Sequence, residues 1–413
     1  MKAEIICVGT EILLGKIVNT NAQYLSQKLA QLGIDVHYHS TVGDNTERLY
    51  LAIKRGLHRS NVIIITGGLG PTVDDLTLEG IAQVLQKKLI LNRNILKDIK
   101  DHFHKRHIPM PKENVRQALV PEGAKALKNE VGTAPGLIIR WHEKKVLIAL
   151  PGVPAEMKPM VERDVLPYLK KNFSGDWVIL SRKIKTCGLA ESQVNQKVKD
   201  ILKSKPPLSV GIYVHTGSVD LDITVRSTNK AIAEKLLNNT ERKINSRLKK
   251  YIYGKDSQTL ESVVAKALTK AKRTIAVAES CTGGLISKRL TNISGSSKYF
   301  PLGVVTYSNK QKRNLLGIPK EALDNFGAVS KEVATLMAQN ISQMAKTDMG
   351  LGITGIAGPT GASKEKPVGL VHIALATPRK VISEEFHFHG DRKAVRLRAS
   401  QAALDMVRRY LIK

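Results

Sequence analysis

Short apolar runs alternate along the first 150 residues with segments whose apolar positions recur every three or four residues. Residues 5–8 and 62–65 are apolar throughout, which is typical of parallel strands that are covered on both faces. Between them, Leu25, Leu29 and Leu32 mark one face of a helix. The alternation predicts a doubly wound α/β sheet, whose ligands bind beyond the carboxyl ends of the strands.

Residues 170–255 follow a different pattern. Apolar and polar residues alternate strictly over residues 219–225, which predicts a half-exposed antiparallel strand in a hairpin. A long helix is predicted over residues 230–249 and a linker over residues 251–257. The segment resembles a KH-like α+β module, but it lacks the Gly-x-x-Gly loop with which KH domains clamp nucleic acid. We therefore interpret it as a spacer or an interface.

Residues 256–413 return to alternating strands and helices, with glycine-bearing turns after three of the predicted strands. The predicted fold class is therefore α/β, with two three-layer α/β domains of mostly parallel strands, residues 1–169 and 256–413. A small α+β KH-like domain, residues 170–255, joins them. The length of 413 residues agrees with two or three domains.

The composition narrows the class of protein. No apolar run approaches the roughly 18 residues that a membrane-spanning helix requires, and the first residues carry no signal-peptide pattern. Cys7, Cys187 and Cys281 are far apart and form no Cys-x-x-Cys pair, which argues against disulfides or a thiolate zinc site. These features predict a cytoplasmic protein that does not contact membranes.

The formal net charge of +29 suggests nucleic-acid binding, because lysine and arginine neutralise phosphates. The charge is nevertheless spread over the whole chain and is not interleaved with aromatic residues. Its densest patches lie on or beside predicted helices, so solvated helix faces are the favoured interpretation. Specific nucleic-acid binding is not expected.

The turn over residues 278–284, Ala-Glu-Ser-Cys-Thr-Gly-Gly, follows an apolar strand and opens a predicted helix. Backbone N–H groups at such a helix start can bind a phosphate, or an oxyanion beside a nucleophile. Ser280 is the candidate nucleophile in this turn. The alternative is that Ser280 only caps the helix.

No His or Asp lies near Ser280 in the sequence as a triad partner, so a Ser–Lys pair is the available arrangement. Lys312 lies in the turn after the next predicted strand, together with Tyr307. To act as a base, Lys312 must have its pKa lowered from about 10.4 toward neutrality. Either desolvation or crowding by like charge is the expected cause, and the neighbouring Lys310 and Arg313 are the candidates for the crowding.

Cys281 is the competing nucleophile. Cysteine is intrinsically the better nucleophile, but a catalytic cysteine usually needs a histidine, and none lies in the three turns of this domain. We therefore favour Ser280, and we expect Cys281 to pack the turn as a small buried residue.

Glycines and acids also follow the strands predicted in the first 150 residues. Residues 66–75 read Thr-Gly-Gly-Leu-Gly-Pro-Thr-Val-Asp-Asp, and related turns lie at residues 9–11 and 151–157. Glycines let the backbone approach a phosphate, and clustered carboxylates suit a hard divalent cation. The alternative is that Asp74 and Asp75 cap the next helix, where acids interact favourably with its dipole.

Five motifs of the last domain together resemble the nicotinamide-nucleotide amidase domain of the CinA family. They read Ala-Glu-Ser-Cys-Thr-Gly-Gly, Val-Thr-Tyr-Ser-Asn-x-x-Lys, Gly-Ala-Val-Ser, Gly-Ile-Thr-Gly-Ile-Ala-Gly-Pro and Lys-Pro-Val-Gly. Three motifs of the first domain resemble the other half of the same family. They read Val-Gly-Thr-Glu-Ile-Leu-Leu-Gly-x-Ile-Val-Asn-Thr-Asn, Gly-Gly-Leu-Gly-Pro-Thr-x-Asp-Asp and Leu-Pro-Gly-Val-Pro-x-Glu-Met. The order of the two halves matches too, so the resemblance covers essentially the whole chain.

The resemblance implies hydrolysis of the carboxamide of nicotinamide mononucleotide to nicotinate mononucleotide and ammonia, without a cofactor. It implies Ser280 as nucleophile, Lys312 as its base and Tyr307 as a supporting hydrogen-bonding group. Thr354 and the glycine backbones would hold the oxyanion or the ribose phosphate, and Arg392 is an expected phosphate partner. The expected substrate-binding residues are Glu279, Thr282, Gly283, Gly284, Thr354, Gly355, Gly358 and Arg392.

The first domain resembles molybdopterin-binding domains, in which Gly-Gly-Thr-Gly is followed by Arg-Asp. Here Leu69 and Asp74 replace that Thr and that Arg, and two adjacent acids disfavour an anionic pterin and favour a metal. In the CinA family this domain is linked to ADP-ribose pyrophosphatase activity with a divalent cation. The candidate metal ligands are Asp44, Asp74, Asp75 and Glu156.

The favoured hypothesis is an amidohydrolase of pyridine-nucleotide salvage fused to a pyrophosphatase-like domain. The alternatives are a non-catalytic nucleotide-binding protein of competence or damage response, and a nucleic-acid binder. The expected ligands are nicotinamide mononucleotide and ADP-ribose. A homodimer is the default expectation for a soluble oligomer.

Overall fold

A computed structural model describes residues 1–173 and 177–412 of the chain. It divides into two compact units, Met1–Leu180 with Arg226–Ala233, and Ser181–Val225 with Glu234–Lys413. The domain limits set from the sequence stay predictions. None of the helices in the described residues is both long and apolar enough to span a membrane.

The first unit is built from short strands and amphipathic helices in alternation. Its strands are β1 (Lys2–Val8), β2 (Asp35–Val42), β3 (Val62–Thr66), β4 (Leu89–Leu91), β5 (Leu119–Pro121), β6 (Lys125–Leu127), β7 (Gly136–His142) and β8 (Lys145–Leu150). Its helices are α1 (Thr10–Leu13), α2 (Thr20–Gln31), α3 (Thr46–Arg59), α4 (Thr77–Leu85), α5 (Arg93–Lys105), α6 (Pro154–Met160) and α7 (Leu166–Asn172), with a 3-10 turn at Lys112–Ala118 and a π-helical turn at Val161–Val165.

The first unit is organised around a six-stranded sheet in the order β2-β1-β3-β8-β7-β6. The four strands β2, β1, β3 and β8 are parallel, whereas β7 and β6 pair antiparallel at one side. All residues of β3 are buried, because buried apolar clusters cover both faces of the sheet. The predicted three-layer arrangement is confirmed.

Residues 178–255 form a four-stranded sheet in the order β10-β11-β9-β12, flanked by two helices. In β11 the predicted inward face, Val219, Leu221, Ile223 and Val225, is buried, and β11 pairs antiparallel with β10. The predicted hairpin is therefore correct. The elements are β9 (Val178–Thr186), α8 (Glu191–Leu202), β10 (Leu208–His215), β11 (Ser218–Ser227), α9 (Lys230–Leu248), a 3-10 turn (Lys249–Tyr251) and β12 (Ile252–Lys255).

The linker predicted over residues 251–257 is wrong. β12 lies inside this stretch and pairs antiparallel with β9. The Arg408 guanidinium donates hydrogen bonds to the carbonyl oxygens of Lys250 (2.8 Å) and Ile252 (3.0 Å). A four-residue strand that contains a glycine carries too little alternation to be seen in the sequence.

The last domain contains β13 (Ile275–Glu279), β14 (Leu302–Val305), β15 (Met349–Gly355), β16 (Leu370–Ala376) and β17 (Val381–His387). Its helices are α10 (Leu260–Ala271), α11 (Leu285–Thr291), α12 (Asn309–Leu316), α13 (Lys320–Phe326), α14 (Lys331–Ala345) and α15 (Arg392–Leu411), with a 3-10 turn at Ser296–Lys298.

The sheet of the last domain runs in the order β14-β13-β15-β16-β17. β13 lies between its parallel neighbours β14 and β15, whereas β16 and β17 are antiparallel. Buried clusters on the two faces complete three layers. The carboxyl ends of β13, β14 and β15 lie at one edge, where the three predicted turns follow.

Gly352 in β15 lets the strand approach the backbone of α14. A Cβ added at Gly352 would lie 2.4 Å from the Ala334 carbonyl oxygen and 2.6 Å from the Ala338 amide nitrogen. Because neither backbone can yield easily, we expect Gly352→Ala to lower the free energy of unfolding by about 3 kcal/mol or more. Gly295→Ala is the control, since a Cβ there meets nothing within 4 Å and the turn strain is only about 1 kcal/mol. Urea denaturation of both variants measures the difference, and equal losses would contradict the packing argument.

Candidate active site

Ser280 lies in the turn that follows β13. Its amide donates to the Ile353 carbonyl of β15 at 3.0 Å, and its own carbonyl accepts from the Gly283 amide at 3.1 Å. The side chain is buried. Helix α11 begins at Leu285, with Gly284 at the cap position and no capping side chain, so Ser280 does not cap that helix.

The Lys312 ammonium lies against the Ser280 hydroxyl. Lys312 Nζ is 2.9 Å from Ser280 Oγ and 2.8 Å from the Thr306 carbonyl oxygen. The Thr306 amide in turn donates to the Glu279 carbonyl at 2.8 Å, which brings the two turns side by side. The sequence-predicted Ser–Lys pair is therefore within hydrogen-bonding distance.

Burial lowers the pKa of Lys312 to about 8. Only 1% of Lys312 is exposed, and the desolvation of its charged form is the cause of the shift. Of the two causes expected from the sequence, desolvation therefore applies, whereas the exposed Lys310 and Arg313 do not contribute. A lysine with this pKa is neutral in about a tenth of the molecules at pH 7 and in about half at pH 8, which populates the form that a general base requires.

Cys281 is buried beside Ser280. Burial raises the pKa of the Cys281 thiol to about 12, and this outweighs the opposing effect of nearby backbone amides and Lys312. The thiol therefore stays protonated and unreactive at neutral pH. This geometry agrees with the expectation that Cys281 packs the turn.

Glu279 lies behind the turn rather than in front of it. It is fully buried, and its carboxylate accepts hydrogen bonds from the amides of Ile286 (3.2 Å) and Ser287 (2.8 Å) and from the Ser287 hydroxyl (2.7 Å). These bonds fix the first turn of α11 to the end of β13. Glu279 was expected to bind substrate, but its oxygens are used inside the protein.

Thr282, Gly283 and Gly284 form the rest of the nucleophile turn. Gly283 and Gly284 have φ values of +58° and +86°, which favour glycine. Arg396 Nε and Nη2 donate to the Thr282 carbonyl at 3.2 and 2.8 Å, so α15 holds the turn from a second side.

Arg392 connects the other two turns. Its Nη1 donates to the Gly358 carbonyl at 2.8 Å, and its Nη2 donates to the hydroxyl of the exposed Tyr307. Thr354 is buried, and its hydroxyl donates to the Ala328 carbonyl at 2.7 Å. Gly355 lies in β15, where a Cβ would lie 2.7 Å from the Leu370 carbonyl oxygen.

The predicted residues thus fall into two hydrogen-bonded groups, Ser280 with Lys312, and Tyr307 with Gly358 and Arg392. In the described part of the chain no hydrogen bond joins Tyr307 to Ser280 or Lys312. Sequence reasoning missed Arg396 and the Thr306 carbonyl. Arg396 could have been found, since it lies one helical turn after Arg392, whereas a backbone acceptor leaves no sequence signal.

The first unit contains a cleft of about 640 Å³ at the carboxyl ends of β1, β3 and β8. Glycines 9, 67, 68, 70 and 152 line it, and so do the four predicted acids Asp44, Asp74, Asp75 and Glu156. The three loops singled out in the sequence therefore meet at one site.

Three of the four acids already accept hydrogen bonds from other residues of the protein, Asp75 within its own loop and Asp44 and Glu156 from different loops. Asp44 Oδ2 accepts from the amide (3.0 Å) and hydroxyl (2.7 Å) of Thr10. Asp75 Oδ2 accepts from the amide (2.9 Å) and hydroxyl (2.6 Å) of Thr72. Glu156 Oε2 accepts from Asn129 Nδ2 at 2.7 Å. Helix α4 has no capping side chain, so Asp74 and Asp75 do not cap it.

The acids share the cleft but do not form a ready coordination sphere. Within residues 1–173 and 177–412, no three His, Cys, Asp or Glu side chains are arranged to hold a metal ion. Asn21, the last residue of the Val-Asn-Thr-Asn motif, is buried at the cleft and donates from Nδ2 to Thr66 Oγ1 (3.0 Å) and the Gly152 carbonyl (2.7 Å). It joins the three loops that the motifs mark.

Replacing Lys312 should reveal the free energy that its burial costs. At pH 7 the folded domain holds a buried ammonium that the unfolded chain leaves in water. Because methionine removes this penalty and loses two hydrogen bonds, we expect Lys312→Met to raise the free energy of unfolding by about 1–3 kcal/mol. From pH 8 to about 10.5 the folded state binds fewer protons than the unfolded state, so only the lysine protein gains stability as pH rises.

Urea denaturation at pH 7 and at pH 10 tests this expectation. The exposed neighbour Lys310, changed to methionine, is the control and should leave stability nearly unchanged. A Lys312→Met protein less stable than the parent at pH 7 would show that the ammonium is not under desolvation strain.

Three family models match the chain in succession. They are described as the probable molybdopterin binding domain over residues 4–171, the damage-inducible protein CinA KH domain over residues 181–254 and the CinA C-terminal domain over residues 257–411. The predicted fold class, with a KH-like domain between two α/β domains, is confirmed.

Similar proteins extend over the whole chain. A relative from Caldicellulosiruptor bescii, provisionally named a competence-damage inducible protein, is 49% identical over 412 residues and covers 100% of both chains. A CinA-like protein from Dictyoglomus thermophilum is 46% identical over 412 residues, again over 100% of both. The solved structure of the competence/damage inducible protein CihA from Agrobacterium tumefaciens is 40% identical and covers 37% of this chain and 94% of its own, with a TM-score of 0.36. This chain belongs to the CinA family.

Proposed function

We propose that the last domain is an amidohydrolase that converts nicotinamide mononucleotide to nicotinate mononucleotide and ammonia. The observation that carries the proposal is the 2.9 Å contact between Ser280 Oγ and a buried Lys312 amine whose pKa is lowered to about 8. A hydroxyl beside a neutral amine is an activated nucleophile. A buried lysine has no structural advantage over an apolar residue of similar size.

Acylation begins when the Ser280 hydroxyl attacks the carboxamide carbon. Lys312 in its neutral form accepts the hydroxyl proton, and the carbonyl electron pair moves to oxygen to give a tetrahedral oxyanion. Lys312 then donates that proton to the amide nitrogen, the C–N bond breaks and ammonia leaves. Thr306 keeps the amine aimed at Ser280, since its carbonyl accepts from Lys312 Nζ at 2.8 Å.

Deacylation repeats the same proton path with water. Lys312, neutral again, accepts a proton from water as it attacks the ester carbon of the acyl-enzyme. The proton returns to Ser280 Oγ as the ester bond breaks, and nicotinate mononucleotide is released. One lysine therefore serves as base and acid in both halves of the reaction.

The residues around the pair supply the binding groups that the substrate needs. We assign the oxyanion to the backbone amides of Thr282 and Gly284, because the Gly283 amide already donates to the Ser280 carbonyl at 3.1 Å. Arg392 is proposed to bind the phosphate, because its guanidinium is exposed beside Tyr307. Thr354 donates its hydroxyl proton to Ala328, so its oxygen can only accept, which suits a ribose hydroxyl better than an oxyanion.

A non-catalytic nucleotide-binding protein is the competing function. It would explain the glycine-bearing turns and the names of the relatives, but it requires no lowered lysine pKa beside a serine. Release of ammonia from nicotinamide mononucleotide by the whole protein separates the two functions.

We also propose that the cleft of the first unit hydrolyses the diphosphate bond of ADP-ribose with a divalent cation. The support is that the acids and the glycine loops line one cleft of about 640 Å³. Magnesium is commonly held by one or two carboxylates together with substrate phosphates, so acids that do not meet in a closed sphere still fit it. Asp44, Asp74, Asp75 and Glu156 would hold the ion, whose charge would stabilise the phosphoryl oxygens.

We also propose a cellular compartment and an oligomeric state for the protein. The cysteine pattern and the absence of a membrane-spanning helix in the described residues support a cytoplasmic protein. A homodimer stays a prediction that sedimentation of the whole chain would test.

The roles of Ser280, Lys312 and Cys281 can be separated by substitution. We expect Ser280→Ala and Lys312→Met each to lower kcat for ammonia release by roughly 10²-fold to 10⁴-fold, and the double variant to be no slower than the worse single one. Cys281→Ala should keep most activity, because its thiol is protonated. For the parent, kcat/KM should rise with pH through about 8, as Lys312 loses its proton. An inactive but folded Cys281→Ala protein together with an active Ser280→Ala protein would refute the Ser–Lys mechanism.

Chelation should distinguish the two activities. We expect excess EDTA to abolish ADP-ribose hydrolysis, and added Mg²⁺ to restore it, because only the first unit is proposed to use a metal. Ammonia release from nicotinamide mononucleotide should be unchanged in the same samples. Equal loss of both activities on chelation would contradict this division.

A further inference from the structure

A groove separate from both proposed sites runs between helix α3 and strand β2 in the first unit. It encloses about 440 Å³. Strand β2 is the outer strand of its sheet and pairs only with β1 in the described residues. Three arginines line the helix side of the groove, Arg48, Arg55 and Arg59. We call this surface the arginine groove.

The spacing of these arginines places them in one row. Positions 48, 52, 55 and 59 follow one another at intervals of three or four residues, so they share one face of α3. At 1.5 Å per residue, the row from Arg48 to Arg59 spans roughly 16 Å. This is about the length of a few successive phosphates in an extended nucleic-acid strand.

No acid lines the arginine groove. Glu47 is the one acidic residue of α3, and it is not part of the lining. Asp44 follows the groove residue Gly43, but Thr10 holds its carboxylate. Arg48 and Arg55 are exposed, and neither forms an ion pair with a carboxylate of the described residues. Their charges are therefore available to an anionic partner.

Arg59 is held rigidly at one end of the row. Its Nε and Nη2 donate to both oxygens of the fully buried Glu4 at 2.8 and 2.7 Å, and Ser40 donates to the same carboxylate at 2.7 Å. The guanidinium plane lies 3.8 Å from the centre of the Tyr38 ring. A fixed guanidinium on an aromatic ring offers a flat surface on which a base can stack.

The other end of the row coincides with the start of α3. Asn45 caps the helix by accepting from the Arg48 amide at 3.0 Å. The positive end of the helix dipole therefore adds to the charge of Arg48. Cations without acidic partners, a concave floor and a stacking surface together match the way proteins hold single strands.

We propose that the arginine groove binds the phosphate backbone of single-stranded nucleic acid, without reading its sequence. Arg48 and Arg55 neutralise successive phosphates, and the stacked Arg59 and Tyr38 receive a base. A duplex keeps its bases paired and stacked inside the helix, so it would offer no free base to Arg59 and Tyr38. The site is independent of the proposed activities, because none of its arginines lines the cleft or the active site.

Fluorescence anisotropy with the full chain and a labelled oligothymidylate of about twelve nucleotides tests the proposal. Log affinity should fall linearly with log salt concentration, by about 0.7 for each phosphate neutralised. The double variant Arg48→Gln/Arg55→Gln should bind about tenfold or more weakly near 0.1 M salt, with a slope lower by about 1.4. The matched control, Lys97→Gln/Lys100→Gln on α5, removes the same charge from exposed positions of the same unit and should leave affinity and slope nearly unchanged.

One more variant and one competition experiment complete the test of the arginine groove. Leu51→Glu places a negative charge in the lining and should weaken binding even if the double variant folds poorly. Adenosine monophosphate should compete only weakly with the oligonucleotide. Equal slopes for the parent and the arginine variant, equal losses for the arginine and lysine variants, or full displacement by the mononucleotide would each overturn the proposal.

Discussion

The desolvation of one lysine determines what the last domain can do. Lys312 is almost completely buried with its amine against Ser280, and this burial brings its pKa to about 8. In water the same amine would be protonated at neutral pH and could not accept a proton. The environment therefore has to keep water out while still leaving two acceptors, Ser280 Oγ and the Thr306 carbonyl. The desolvation that lowers the pKa of Lys312 is therefore also expected to lower the free energy of unfolding of the domain.

Such a pair is useful only if the turn that carries Ser280 does not move. The turn is fixed from three directions by groups that do not touch the reacting atoms. The Glu279 carboxylate holds the start of α11, Arg396 holds the Thr282 carbonyl, and the Ser280 amide is bonded to β15. These bonds keep the Ser280 hydroxyl at a fixed distance from the amine, which is the geometric condition for proton transfer.

The sequence is informative where side-chain pattern alone decides the structure. The runs that became β3 and β13 are apolar because both faces are covered, and the alternation of β11 reports one buried face. Motif resemblance located Ser280 and Lys312, but it could not tell that Glu279 turns inward or that burial lowers the lysine pKa. Those features depend on how the turns fold back on themselves, since Glu279 bonds to Ser287 and Lys312 to the Thr306 carbonyl, and on burial by the surrounding domain. β12 was missed because it is held by backbone pairing with β9 and by the Arg408 guanidinium, which donates to the Ile252 carbonyl, and such bonds leave no pattern in the sequence.

Three groups of charged residues differ in their surroundings: the buried Lys312, the acids of the cleft, and the exposed Arg48 and Arg55. Burial lowers the pKa of the Lys312 amine, and the neutral amine lies against the Ser280 hydroxyl that it is proposed to activate. Three of the cleft acids accept hydrogen bonds from other residues of the protein, and in the described residues the four acids do not form a closed coordination sphere. A metal there would therefore need phosphate oxygens as further ligands. Arg48 and Arg55 are exposed and form no ion pair with a carboxylate of the described residues, so their charge is available to an anion from solution. Under the proposed functions, the Ser–Lys site uses only groups of the protein, whereas the cleft and the arginine groove each need a bound partner.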